Sequence, residues 1–438
     1  MELFIQGGRV IDPEQGLDEV ADILVSGDRI AAVGPSLTRP GGVDKLNAHG
    51  MLVMPGLVDV HAHLRDPGFT AKETLETGAQ SALKGGFTTV CCMPNTDPAL
   101  DTPERVADIV TRARELPLRL FPLGAISLER RGEELADLAG MTEAGAVGFS
   151  DDGDSTRSSQ VMREALAWSK DSGKPIMVHC EDWTLINGGV MHEGAVSREL
   201  GLPGIPAAAE EIITNRDIEL ARLTGGWLHV LHVSTALGRD LVRRAKEQGV
   251  PVTAEVMPHH LLLTDEWVAG RRRFVGDERV YRTVCPDPNA KVNPPLRGEA
   301  DARALLAGLR EGTFDILATD HAPHAPEDKS DDLLRAANGM IGFELALPLL
   351  LRLVRAGDLS LLMLVDLLST RPARLFGLPG GRLRPGSPAD LIVVDPEQEW
   401  NVNETTIASK SKNTPLLGMT VQGKVRLTMV NGEVRYRD

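Results

Sequence analysis

In the stretch PGLVDVHAHLRDPG, Pro55 to Gly68, His61 and His63 stand two residues apart in an apolar run, and Arg65 follows two further on. Paired imidazoles are metal-ligand chemistry, and a strand's period of two predicts all three side chains on one face. Four more candidates end other apolar runs: Asp151 in GFSDDG, His179 in VHCED, His232 in LHVST and Asp320 in ATDHAPH. Taken singly, each has a plain reading. A histidine at a strand end is more often a hydrogen-bonded core residue, and Asp-Asp-Gly is ordinary turn chemistry. Coincidence at five strand ends favours the metal reading, because four imidazoles and two carboxylates are a donor set that Zn²⁺ takes. Four histidines and one terminal aspartate would serve two metals poorly without an anionic bridge, and Asp151 is the candidate for it.

Arg65 and Asn95, in MPNT, are expected at the same mouth, where a planar guanidinium beside a metal pair reads as a clamp for a substrate carboxylate. His324, in DHAPH, and Asn293, in KVNPPLR, add donors from loops. His259 and His260, in MPHH, have no carboxylate beside them in sequence and are read as structural.

These residues need a frame. Between about 55 and 370 the chain repeats strand, loop and helix, with strand candidates from LVDVHAHL to FDILATD. Eight such strands predict an α/β fold, a (β/α)₈ TIM-like barrel, whose reactive groups sit at the C-terminal strand ends. A doubly wound open sheet is the alternative, but no GxGxxG opens its first turn. Both ends of the chain alternate short strand-like runs with turns. Residues 1–54 plus 371–438 are therefore expected to form a small β-sandwich domain, with the barrel over 55–370.

A net charge of −15 counts against a nucleic-acid or anionic-membrane surface. Four cysteines without a CxxC pair fit a reducing compartment, and no run approaches the roughly 20 apolar residues of a membrane span. The N-terminus lacks a signal-peptide layout, so a soluble cytoplasmic protein is expected.

Together these motifs resemble the amidohydrolase superfamily and, within it, the bacterial class I dihydroorotases, over essentially the whole chain. VDVHAHLRDPG is similar to that family's first motif and ATDHAPHAPEDK to its second; MPNT, VHCED, LHVST, PHHLLLTD, KVNPPLR and SKNTPLLGMTVQGKV are similar to further blocks. A lone DxHxH is shared widely, whereas DxHxHLR with MPNT and DHAPHxxxxK is far more specific. Many binuclear members bridge their metals with a carboxylated lysine. AVGFSDDG has no lysine, as in the class I dihydroorotases where an aspartate takes that place, and Asp151 is the residue matched to it.

The resemblance implies that His61, His63 and Asp320 bind one Zn²⁺ with Asp151, and that His179 and His232 bind a second with Asp151 shared. It implies one or two ions per subunit, with two expected. Arg65, Asn95 and His324 would hold the substrate's non-reacting carboxylate, with His63 also in contact. Asn293 and the backbone of Asn338 and Gly339 would meet the ring, and Asp320 would be the catalytic proton carrier. The implied reaction is reversible closure of N-carbamoyl-L-aspartate to L-dihydroorotate in pyrimidine synthesis, run in the hydrolytic direction by metal-activated hydroxide.

The nearest alternative is another cyclic amidase, an allantoinase or hydantoinase; the missing lysine and the Arg65/Asn95 pair count against it. A silent scaffold for aspartate transcarbamoylase would have lost ligands, and a phosphoesterase would need more cationic contacts. A homodimer is the expected assembly, with aspartate transcarbamoylase association as the other partner considered.

Overall fold

The computed structural model describes residues 2–438. Eight short strands form the frame, with His61 inside the first and most other candidate residues just beyond strand ends: β1 (Leu57–Ala62), β2 (Phe87–Cys92), β3 (Arg119–Pro122), β4 (Phe149–Ser150), β5 (Ile176–Val178), β6 (Leu228–Val230), β7 (Val252–Val256) and β8 (Ile316–Leu317). All their pairings are parallel, β1-β2-β3 in one sheet and β4-β5-β6-β7-β8 in another. Two parallel bridges join the sheets, Gly124 with Phe149 after β3, and Ala62 with His321 after β8. The pairings thus run in a circuit and return to β1. At the closure the Asp320 N–H donates to the His61 carbonyl at 3.1 Å, and the His63 N–H to the His321 carbonyl at 2.8 Å.

Helices separate the strands. Leu75–Lys84 shows why they form: Thr74 caps its N-terminus in a reciprocal box with Thr77, Leu75, Ala79, Ala82 and Leu83 are buried along one side, and Lys84 lies in the last turn. Losing such a cap costs about 1 kcal/mol.

Alternation along each strand sorts the circuit's two faces. Leu228, Val230, Val252, Ala254 and Val256 join the large core shared with the helices. Met177, Leu231, Met257, Ile316 and Ala318 form a separate interior cluster, closed at its floor by Ala373, Phe376 and Leu378. That floor comes from a helical run reaching Phe376, so residues 371–378 pack with the circuit rather than with the terminal strands.

The terminal segments build one eight-stranded sheet where a sandwich was expected. Leu52–Pro55 pairs in parallel with Glu2–Asp12 and antiparallel with Leu391–Asn401, so both ends of the chain are joined by hydrogen bonds into a single sheet. The sheet curls over its own apolar face. Leu3, Ile5, Ile23 and Val25 share a cluster with Leu391, Val393, Leu427 and Met429. Its far ends meet where a Cβ on Gly432 would lie 2.0 Å from the Gly27 carbonyl, which leaves room for glycine alone. Among the described residues no helix is long and apolar enough to cross a membrane.

Candidate metal centre and active site

The C-terminal strand ends converge on a cavity of about 250 Å³. Its lining includes His63, Arg65, Asn95, His179, His232, Asn293, Asp320, His324, Asn338 and Gly339, ten of the positions singled out from sequence. His61 is fully buried behind them.

Local backbone brings several of these side chains round. β1 stops at Ala62, with a register shift between Asp59 and Ala62, so His61 and His63 join the interior although Val58 and Val60 also face it. Arg65 does not continue the strand, as period two would have it. It adopts φ +61, and His232 and Asp320 adopt φ +30 and +49. Left-handed backbone at non-glycine residues is costly, and three of the eight such residues among those described are at this site.

The structure does not bring Asp151 to the histidine cluster. Its oxygens accept from the backbone N–H groups of Ile126 and Ser127, both at 3.0 Å, and from the hydroxyls of Ser127 at 2.7 Å and Thr156 at 2.9 Å. Four donors satisfy it as a structural clasp between the loops after β3 and β4. Asp152 takes the central place. Its Oδ2 lies 3.3 Å from His63 Nε2 and 3.7 Å from His61 Nε2; its Oδ1 lies 3.3 Å from His232 Nε2 and 3.6 Å from His179 Nδ1. One oxygen faces each pair. The strand that precedes the two acids is only two residues long, Phe149–Ser150, and Val147 and Phe149 pack against different cores, so alternation in the sequence does not separate Asp151 from Asp152.

Two groups bring ligand atoms within 4.8 Å of one another, His61 with His63 and Asp320, and His61 with Asp152 and His232. His179 joins the second through its Nδ1, 2.9 Å from His232 Nε2. The donors fit a divalent cation. His61 Nε2 is buried without a hydrogen-bond partner. The surroundings also favour positive charge. Although burial opposes it, His61 is pushed well above the usual imidazole range by Glu255 and Asp152, and His179 is pushed up to about 10 by Asp152 and Glu181. Burial would raise Asp152, yet the imidazoles of His61, His179 and His232 hold it well below the carboxylate range.

The rest of the mouth is polar and carries the cationic Arg65. Burial pulls Arg65 down to about 10, which leaves it cationic at neutral pH. Arg65 Nε donates to the Pro323 carbonyl at 3.2 Å. His324 is pushed down to about 2 by burial and by Arg65, so it is neutral. Its Nε2–H donates to the Asn338 carbonyl at 2.7 Å. Asn95 Oδ1 accepts from His63 Nδ1 at 2.9 Å and so orients a candidate ligand. Asn293 donates to Glu181 at 3.1 Å, while its own Oδ1 is buried and unpartnered.

His259 and His260 lie buried in the turn of helix Pro258–Leu262, outside the cavity lining, with His260 Nε2 on the Pro294 carbonyl at 3.0 Å. Sequence reasoning missed Asp152 and two acids behind the ligands. Glu181 lies 3.4 Å from His179 Nε2, and Glu255 lies 2.5 Å from His61 Nδ1. Another cavity, of about 230 Å³, lies between helix Phe343–Arg355 and the terminal sheet. Its buried acid Glu344 is satisfied by Ser81, Ala408 and Ser409.

A family model described as Dihydro-orotase-like matches residues 50–237. A dihydroorotase of Geobacter sp. (strain M21) is 45% identical over 438 residues, all of both chains. One of Acetivibrio thermocellus is 44% identical over 440 residues, covering 100% of this chain and 99% of the relative. Among solved structures, L-hydantoinase (dihydropyrimidinase) from Arthrobacter aurescens superposes with a TM-score of 0.84 at 28% identity, over 100% of this chain and 96% of that one.

Proposed function

This chain belongs to the dihydroorotase-like family, and we propose on that premise that its cavity catalyses the reversible cyclisation of N-carbamoyl-L-aspartate to L-dihydroorotate, a step of pyrimidine synthesis. The observation that carries the reading is the cavity itself, where a cation-seeking cluster of His61, His63, Asp152, His179, His232 and Asp320 meets the cationic Arg65. A substrate with a reacting carbonyl and a separate carboxylate needs both. We read the strand circuit as a (β/α)₈ barrel and the curled terminal sheet as its small β domain.

We take the metal to be Zn²⁺, two per subunit. His61, His63 and Asp320 would hold one and His179 and His232 the other, with Asp152 between; its two oxygens each facing one histidine pair support this. Bound there, the metal supplies Lewis acidity, lowering the pKa of water from 15.7 toward about 7 and polarising a carbonyl.

The remaining chemistry belongs to the chain. Asp320, held as a carboxylate against burial by His63 and His61, accepts the proton of the attacking water and returns it to the ring nitrogen when the amide opens. Arg65 presents free guanidinium N–H donors to the carboxylate that does not react, and a fork suits that geometry better than an ammonium. The unpartnered Asn293 oxygen is an acceptor for a ring N–H. Closure consumes one proton, because a carboxylate loses an oxygen to become an amide carbonyl, so lower pH favours the ring.

The three free buried thiols, Cys91, Cys92 and Cys180, support a reducing cytoplasm. A homodimer is the assembly we propose from the prevalence of twofold symmetry. Association with aspartate transcarbamoylase is a separate proposal, to be tested by co-elution.

The decisive experiment follows the ultraviolet absorbance of dihydroorotate with purified protein before chelation, after it, and after zinc is returned. Loss of absorbance that stops with chelator and resumes with zinc is expected. A zinc-loaded protein that leaves dihydroorotate untouched would overturn the substrate assignment.

A further inference from the structure

Behind the metal cluster, toward the floor of the circuit, lies a line of buried polar groups that the reaction does not use. Glu255 of β7 and His229 of β6 are both fully buried, and both lie on the inward phase of their strands with Met257 and Leu231. Such groups are costly inside an apolar interior unless each is bonded. Here each is, and the bonds have a direction.

The direction starts at an obligate donor. Trp227 Nε1–H can only donate, and it donates to Thr253 Oγ1 at 2.8 Å. The Thr253 hydroxyl proton is then free for His229 Nδ1, 2.7 Å away. With Nδ1 accepting, His229 carries its proton on Nε2, which lies 3.2 Å from Glu255 Oε2. Glu255 Oε1 lies 2.5 Å from His61 Nδ1, which must therefore be the protonated nitrogen of that ring. That leaves Nε2, the buried atom without a hydrogen-bond partner that faces Asp152 and Asp320, as the ring atom available to a metal. The same Oε1 also accepts from the backbone N–H of His232 at 3.4 Å, where the chain holds its left-handed turn.

We propose that Glu255 is a positioning residue of the metal centre, which with His229, Thr253 and Trp227 forms a one-way hydrogen-bond chain that fixes the tautomer of His61 and the strand end bearing His232. The chain reaches the site from below, where no substrate arrives, so it acts on the ligands and not on substrate. Glu181 does the corresponding work for His179 with the opposite nitrogen, since it faces Nε2 and leaves Nδ1 toward Asp152. Ligand histidines generally donate their other N–H to such a partner, and losing the partner costs roughly 10–100-fold in metal affinity or activity.

The test is Glu255→Gln, which keeps the shape but places an N–H₂ group where a ring N–H must be accepted. In chelator competition, zinc affinity should fall about 10–100-fold. kcat should fall with KM for dihydroorotate nearly unchanged, and the visible spectrum of the cobalt-substituted protein should shift. Thr253→Val, which removes the hydroxyl link while keeping the strand, should weaken zinc binding by a smaller factor and serves if Glu255→Gln does not fold. A lowered melting temperature with wild-type zinc affinity, kcat and cobalt spectrum in both variants would overturn the proposal and leave Glu255 a core residue. The proposal rests on reading the cluster as a metal centre. Wild-type protein that binds no zinc would overturn both, whereas normal wild-type binding with unaffected variants overturns this one alone.

Discussion

Two regions of the molecule bury carboxylates, and they treat them in opposite ways. In the terminal sheet Asp12 accepts from the backbone N–H groups of Glu14 at 3.0 Å and Leu383 at 2.8 Å, and from the Gln15 amide at 2.7 Å. Asp22 likewise accepts from Gly7 at 2.8 Å and Leu37 at 2.9 Å. Every neighbour is a donor, and the group serves as a fastener. At the mouth of the circuit Asp152 and Asp320 face imidazole nitrogens gathered around the same small space. Ring nitrogens and carboxylate oxygens this close together are a donor set for a cation. Asp151 and Asp152 compress this contrast into adjacent residues, so burial of an acid says little until its partners are known.

The comparison can be broken at those two residues. Asp152→Asn should lose tightly bound zinc and roughly a thousandfold in kcat/KM, about 4 kcal/mol, the scale of breaking a buried charge pair. Asp151→Asn should retain zinc and lose about 1–3 kcal/mol of stability through unpaired donors. Zinc content by elemental analysis beside urea midpoints separates the two. If Asp151→Asn lost the metal while Asp152→Asn kept it, the assignment would be reversed.

A fastener in the terminal sheet should report on folding only. Asp12→Ala leaves at least two backbone N–H groups unpaired and should cost about 1–3 kcal/mol. Its kcat/KM at a temperature where it stays folded should match the parent. A large loss of turnover in the folded variant would show the two regions to be coupled.

Arg65→Lys keeps the charge and removes the fork. KM for dihydroorotate should rise roughly tenfold, about 1.4 kcal/mol, with zinc content unchanged. Unaltered steady-state constants would remove Arg65 from the substrate end of the cavity.

The smallest expected effect concerns Asp265, a buried acid of neither kind, raised to about 6 by burial and by Glu266. Its folded pKa lies above its unfolded one, so the folded chain binds the proton more tightly. Its contribution is present below about pH 4 and is lost as pH climbs through about 6. Asp265→Asn lacks that slope, so its urea midpoint relative to the parent should be higher at pH 7 than at pH 5. An offset independent of pH would show that Asp265 does not titrate in that window.

Much of the site was legible because strand ends advertise themselves. His61, His63, His179, His232 and Asp320 each close an apolar run, and all five meet at or directly behind one cavity. Arg65 was placed at the mouth for an incomplete reason. Strand periodicity predicted its direction, whereas a left-handed residue beyond the strand supplies it. Glu181 and Glu255 passed unnoticed because one acid in a strand or loop carries no pattern of its own. Their partners lie 2 and 194 residues away in the chain.

By itself the sequence determined the chemical types present and the phase of each strand, because side-chain chemistry is covalent and alternation is local. Tertiary structure decided which acid faces the histidine cluster, which partner each imidazole nitrogen meets, and that the two ends of the chain form one sheet. Those outcomes depend on donors and acceptors brought up by other strands. Asp151 is claimed by N–H groups from 24 and 25 residues away, and Asp152 meets His232 from 80 residues away. A hydrogen bond is settled by which partner arrives within about 3 Å, and only the folded chain brings those partners together.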